Sequence, residues 1–462
     1  MEQTTAKKNK YEIDMCNGTI MDKLISFSLP LMLSGILQLM FNAVDIIVVG
    51  RFSGSQALAA VGSTSALINV FTNLFIGISL GANVLTARFY AAGREKEVSE
   101  TVHTAITLAL VSGIIMALVG LVFSKGALAL MGTPDDVIGL SALYMRIYFL
   151  GMPFFMLYNY GAAILRAVGD TKRPLLFLMI AGVINACLNM VLVIVFKLGV
   201  AGVAIATVIS QMISCVLVLR CLCRSESSYR LRFSELGMKG YYLKQIFSVG
   251  VPAGIQSTVI NFSNVLLQSS VNSFGSTAMA GYTAANNLLG FLYVSVNSIT
   301  QACMSFTSQN YGVGKLKRMD RVLADCMILS VVVAVALGCI CYGFGPEILQ
   351  IYTEDAEVIA CGMEILAYTT ITYFLCGWMD LFPGALRGMG YSAVPMVLSV
   401  IGTVGTRVVW IFGIFPYHRS LAILFISYPA SWIITIILQV VCFYFVRRRV
   451  HRRSQTPAGQ EA

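Results

Sequence analysis

The chain has 462 residues, of which 57% are hydrophobic and only 12% charged, with a formal net charge of +10. Soluble domains carry about 25% charged residues, so this composition excludes an ordinary globular enzyme and points to a membrane protein along its whole length. The positive charge calls for no nucleic acid, because the basic residues gather in loops between apolar runs, where they meet anionic lipid headgroups.

The N-terminal tail, residues 1–23, is polar and has no small-residue cleavage site, so the first span is expected to act as an uncleaved anchor. That span runs from Leu24 to Gly50, and its only charged side chain is Asp45. A helix from Leu24 to Val49 covers roughly 39 Å, more than the ~30 Å hydrocarbon core. Asp45 therefore falls in the half of the membrane far from the N-terminus. An ionised carboxylate there costs at least ~2.5–3.5 kcal/mol on insertion scales, so it should face the protein interior or a wet cavity. Gln38 and Asn42 precede it by seven and three residues, which puts all three on one helix face. Such a stripe is either a structural network between helices or an ion or substrate site, and the titratable end favours the second.

Hydropathy predicts twelve spans, about 24–50, 57–86, 101–123, 138–165, 174–196, 198–220, 245–273, 277–309, 322–345, 358–386, 394–416 and 420–446. The stretch from Gln245 to Gly314 contains no Asp, Glu, Lys or Arg. Basic residues collect in the N-terminal tail, in the even-numbered connections and in the C-terminal tail, residues 447–462. The sixth connection is the richest, with Arg220, Arg224, Arg230, Arg232, Lys239 and Lys244. By the positive-inside rule both termini are expected in the cytoplasm and the protein in the inner membrane. Twelve cysteines, mostly within spans, read as small apolar fillers, and the three histidines form no metal constellation.

The chain also repeats itself. Pro30 aligns with Pro252, Tyr90–Arg94 with Tyr311–Lys315, and Leu165–Gly169 with Leu386–Gly390, all at an offset of 221 or 222. Each half holds six predicted spans, an even number, so the repeats are expected to be parallel, with a central cavity between them. The expected organisation is an N-terminal six-helix lobe (24–220), a cytoplasmic linker (221–244) and a C-terminal lobe (245–446). The halves differ in their polar residues. Asn264 is the counterpart of Asn42, with Asn261 and Gln268 on nearby turns, whereas Leu267 stands where the first half has Asp45.

The stretch from Pro30 to Gly50, LRAVGDTKRP (Leu165–Pro174), LGVAGVAIATVIS (Leu198–Ser210), QNYGVGKLKR (Gln309–Arg318) and GALRGMGYSAVP (Gly384–Pro395) occur in this order on the duplicated chain. Together they resemble the multidrug and toxic compound extrusion (MATE) family over essentially the whole length. The resemblance implies a cation-coupled exporter of hydrophobic, often cationic compounds, working by alternating access of two six-helix lobes. The chain has no nucleotide-binding Gly-rich loop with Lys-Ser or Lys-Thr, so ATP is not expected as the direct energy source, and a monomer is expected. In the DinF-like branch it implies a coupling site at Asp45, with companions at Tyr144, Asn185 and Thr207; Asn189 stands where that branch often has a second Asp. In the NorM-like branch an acidic residue lies on the seventh span, where this chain has Ile260. The resemblance is therefore closer to the DinF-like branch.

Burial penalises a charged carboxylate, and hydrogen-bond donors favour it. Asp45 facing neutral Asn185, Asn189, Thr207 and Tyr144 could hold a proton, and the same oxygens could instead form a Na⁺ shell. Both coupling ions stay open, and no other cofactor is expected. Asp380 and Glu364 on the tenth span could attract a cationic substrate, with Trp378 adding a cation–π contact; the alternative is an internal ion pair of Asp380 with Arg407. The candidate cavity set is thus Gln38, Asn42, Asn261, Asn264, Gln268 and Asp380. A flippase of lipid-linked precursors, or a metabolite exporter in the same broad superfamily, is the alternative function. Its anionic substrate calls for several basic cavity residues, and the spans hold mainly Arg146 and Arg407. An intramembrane enzyme would need a nucleophile–base pair or metal motif, and neither occurs.

Overall fold

The computed structural model describes residues 10–454, and among them every regular element is helical. An apolar chain of this kind must satisfy its backbone polar groups internally, and the helix does so within one segment. The elements are α1 (Met21–Phe52), α2 (Ser55–Ala91), α3 (Glu95–Leu130), α4 (Asp135–Leu150), α5 (Met152–Ala167), α6 (Lys172–Asn189) and α7 (Gly199–Cys223). They continue as α8 (Gly240–Asn272), α9 (Ser276–Gly312), α10 (Leu316–Gly343), α11 (Gly345–Gln350), α12 (Ala356–Thr369), α13 (Tyr373–Gly388), α14 (Ala393–Ser399), α15 (Thr406–Val409) and α16 (Leu421–Ser454). Wider π turns interrupt the helices at Met190–Val195, Val400–Gly405 and Trp410–Ile414.

Eight of the described helices are long and apolar enough to cross a membrane, or up to ten if each of two bent pairs is one span. That is short of the expected twelve. The difference lies in α8 and α9, which are 33 and 37 residues long but rich in Ser, Asn, Gln and Gly. The bends were not foreseen. α4 meets α5 at 47° and α12 meets α13 at 50°. At the first bend Pro153 sits in the opening turn of α5, where its missing N–H breaks the ladder. At the second, Thr370 and Thr372 donate their hydroxyls back to the carbonyls of Leu366 (2.6 Å) and Tyr368 (2.8 Å), a pattern that bends helices.

The helices gather into two compact units. The first comprises Met1–Ile13 and Leu33–Gly254, the second Asp14–Met32 and Ile255–Ala462. These differ from lobes drawn at 24–220 and 245–446. Both α1 and α8 are shared, each dividing two residues after its internal proline, Pro30 and Pro252. A proline removes one ladder bond and leaves a point at which two halves of a helix can take different partners.

The core of the first unit is built around Phe149, Tyr160, Leu165 and Tyr229, all fully buried. Here the N-terminal half of α8 packs on α2 through small residues spaced four apart on both helices. A β-carbon added at Gly77 would strike the backbone of Gly254, one at Gly81 the carbonyl of Ile246, and one at Gly250 the backbone of Ile78. Small residues at this spacing let helix backbones approach closely. The second unit packs around Tyr282, Phe425 and Trp432, with the Tyr282 and Tyr428 hydroxyls 3.0 Å apart.

The repeat is visible in backbone geometry. Gly54, Gly93 and Gly169 have φ of 87°, 68° and 98°, and Gly275, Gly314 and Gly390, each 221 residues on, have 101°, 73° and 90°. At Gly169 the requirement is double, because a β-carbon would also lie 2.6 Å from the Ile13 carbonyl oxygen. Gly169→Ala is expected to lower stability by about 1–3 kcal/mol, read as a lower melting temperature than wild type, whereas Gly126→Ala, with open space around it, should not.

Candidate functional site

Asp45 lies on the part of α1 that belongs to the first unit. It is 8% exposed and turned towards α6 and α7. Asn185 and Asn189 are four residues apart on α6, hence on one face, and both are buried. The Asn189 amide donates to Asp45 Oδ1 and, at 3.1 Å, to Asn185 Oδ1. Thr207 of α7 has its hydroxyl 3.5 Å from Asp45 Oδ2, but 3.0 Å from the Val203 carbonyl. A hydroxyl has one proton, and the shorter bond to Val203 claims it, so the Thr207 lone pairs remain available to accept. The Asn189 Oδ1 atom is buried and has no partner. α6 ends at Asn189 and continues as a π turn, a distortion common at functional sites.

Tyr144 of α4 is buried nearby, but its described ring contact is a stack on Tyr148, 6.1 Å between centroids, and no hydrogen bond joins it to Asp45. The remaining expectations fare differently. Gln38 and Asn42 are exposed while Asp45 is buried, so the three do not share one environment despite sharing a helix face. Asn261 is also exposed, and Gln268 donates to Asn272 at 2.9 Å. Asp380 is half-buried on α13. The cation acting on it is Arg387, two turns along the same helix, whose guanidinium donates to Gln256 at 2.6 Å. The alternative reading, an ion pair of Asp380 with Arg407, does not occur: Arg407 donates to Ser263 Oγ (2.8 Å) and Asn264 Oδ1 (2.7 Å), and lies 4.8 Å from the Tyr428 ring centroid. The indole N–H of Trp378 is spent on the Met327 carbonyl at 3.2 Å.

Arg407 is a residue whose importance the sequence reading missed. It is 3% exposed, with neutral partners only, close to where the second repeat has Leu267 in place of Asp45. A buried ionisable group thus stands near an asparagine in each unit, the Asp45 carboxyl in the first and the Arg407 guanidinium in the second. In the sequence Arg407 stood out only as a possible partner of Asp380, and periodicity does not say which polar side chains of α8 it meets. Among the described residues no group of three or more His, Cys, Asp and Glu could hold a metal ion.

Asn189→Leu, close in size, removes the amide bonded to the buried carboxylate. It is expected to cost about 1.5–3 kcal/mol, the worth of a hydrogen bond to a charged group. Thermal melts of the purified variant check this; an unchanged melting temperature would mean that Asn189 does not support Asp45.

A family model described as MatE matches this chain twice, over residues 30–191 and 252–412. "Probable multidrug resistance protein YoeA" of Bacillus subtilis (strain 168) is 31% identical over 434 residues, 92% of this chain and 93% of that protein. "Multidrug export protein MepA" of Staphylococcus aureus (strain NCTC 8325 / PS 47) is 22% identical over 382 residues, 82% and 84% of the two chains. A solved structure described as "Crystal structure of MATE in complex with MaL6" superposes with a TM-score of 0.88 at 20% identity, covering 97% of this chain and 100% of that one. The last likeness is one of fold.

Proposed function

Because the chain belongs to the MatE family, and is a multi-pass membrane transporter and not an enzyme, we propose that it exports hydrophobic or cationic drugs and toxic compounds in exchange for a cation, H⁺ or Na⁺. The names of its relatives support multidrug efflux as the task. Counting α8, α9 and each bent pair as spans makes twelve, six in each of two parallel repeats, with both termini in the cytoplasm and the chain in the inner membrane. Asp45 in the first repeat and Leu267 in the second favour a DinF-like arrangement.

The observation that carries the coupling reading is the buried Asp45 carboxylate among neutral, partly unsatisfied groups. An ionised Asp45 is met by the Asn189 amide N–H. A protonated Asp45 can donate to the Thr207 oxygen, and a flip of the Asn189 amide presents Oδ1 as a second acceptor. The Asp45, Asn185, Asn189 and Thr207 oxygens are equally a hard donor set of the kind Na⁺ takes. Either ion neutralises the buried charge and biases the protein between two states. Export follows when substrate and cation prefer opposite states, since a ligand indifferent to the two would shift nothing. Gln38, Asn42, Asn261, Asn264, Gln268 and Asp380 are the proposed polar lining of the substrate path.

The test is export of a fluorescent lipophilic cation from proteoliposomes, with a proton or a sodium gradient imposed separately. Export driven by one gradient is expected and identifies the ion. No export under either would overturn the proposal and favour the flippase or metabolite-exporter reading.

A further inference from the structure

At the end of α6 and α7 nearest the basic sixth connection, the first unit has an open-sided pocket of about 670 Å³. Its lining includes Lys10, Arg173, Arg220 and Arg224, with Glu226 the carboxylate among the lining residues. Arg173 is itself bonded through Nε to the buried Asp170, so the positive excess comes from Lys10, Arg220 and Arg224. Yet the Arg173 Nη2 atom is buried and has no hydrogen-bond partner. Neither Arg220 nor Arg224 pairs with a carboxylate among the described residues.

The pocket is not inherited from the duplicated scaffold. At an offset of 221 the second repeat has Val394, Val441 and Phe445 where the first has Arg173, Arg220 and Arg224. Its other wall is apolar, formed by Phe177 and Leu217, and the adjacent Leu176 and Val216 are 49% and 56% exposed. α6 and α7 are both candidate membrane spans, so apolar surface runs from the pocket along the helices. A cationic rim with an unspent guanidinium donor over an apolar wall, at the end of two spans, is matched by a phosphate ester carrying acyl chains.

We propose that this pocket binds the headgroup phosphate of an anionic phospholipid. Arg220 and Arg224 supply the charge, Arg173 Nη2 the buried donor, and Phe177 and Leu217 the contact with the first acyl carbons.

Cys221 also lines the pocket, and Cys223, two residues on, is outside the lining, so the pair makes an internal gauge. The full-length protein in nanodiscs would be alkylated with N-ethylmaleimide and the two thiols quantified by peptide mass spectrometry. Replacing part of the phosphatidylcholine with phosphatidylglycerol is expected to slow Cys221 relative to Cys223. The double variant R220Q/R224Q should need about tenfold more phosphatidylglycerol for the same protection, while R448Q/R449Q, which removes two exposed charges elsewhere, should behave as wild type. Equal loss in both variants, or none in R220Q/R224Q, would overturn the site in favour of general surface charge. Protection by inorganic phosphate or glycerol 3-phosphate as strong as that by the lipid would overturn the lipid assignment.

Discussion

Asp45→Asn is expected to abolish gradient-driven export while leaving the protein folded. Asparagine keeps the volume and a carbonyl oxygen to accept the Asn189 amide, but it can neither release a proton nor offer Na⁺ a full charge. Removing a buried charge whose partners are neutral also spares its desolvation cost, so the melting temperature should not fall. Coupling between two ligands typically amounts to about 5–150-fold in affinity, and with the coupling group gone gradient-driven export should fall to the leak rate. Wild type and variant would be compared in proteoliposomes under each gradient. Export and ion dependence surviving unchanged would sink the assignment of coupling to the first unit and move attention to Asp380 and Arg387. Asp45→Glu offers a second check, because it retains the charge but lengthens the arm, and partial activity is expected from it.

Gly77→Leu should prevent correct assembly of the first unit. Its side chain would have to occupy the backbone of Gly254, and backbone cannot rotate aside as a side-chain tip can. Overpacking ordinarily costs about 1–3 kcal/mol, and here the cost should reach or exceed the upper end. A β-carbon at Gly62, on the same helix, meets nothing within 4 Å, and Gly62→Leu serves as the control. Size-exclusion profiles and melting curves after purification decide the matter. Gly77→Leu is expected to be aggregated or strongly destabilised, and Gly62→Leu to resemble wild type. Equal behaviour of the two would show that the N-terminal half of α8 does not dock on α2 as described.

Much of the site was legible before any fold was known. A carboxylate deep in an apolar run must be buried or wet, and that alone singles out Asp45. Asn185, Asn189 and Thr207 were singled out by the family resemblance; the spacing adds only that Asn185 and Asn189, four residues apart, share one face. What periodicity cannot say is which helix a face meets. Gln38, Asn42 and Asp45 share one face of α1, yet only Asp45 is buried, where Asn189 of α6 and Thr207 of α7 meet it. Asp380 and Arg407 looked like partners because both are charged and lie in successive spans, but the guanidinium found the polar side chains of α8 first.

The sequence by itself determined the helical membrane class, the internal repeat and the position of the one charge in the first span. These depend on transfer energies and spacing, which are properties of each segment alone. Only the tertiary structure decided that α1 and α8 divide after Pro30 and Pro252 and lend their halves to different units. It alone set the bends between α4 and α5 and between α12 and α13, the neutral partners of Arg407, and the basic pocket on α6 and α7. Those features arise where small residues let backbones touch and where polar atoms seek partners across helices, and such choices are made between segments.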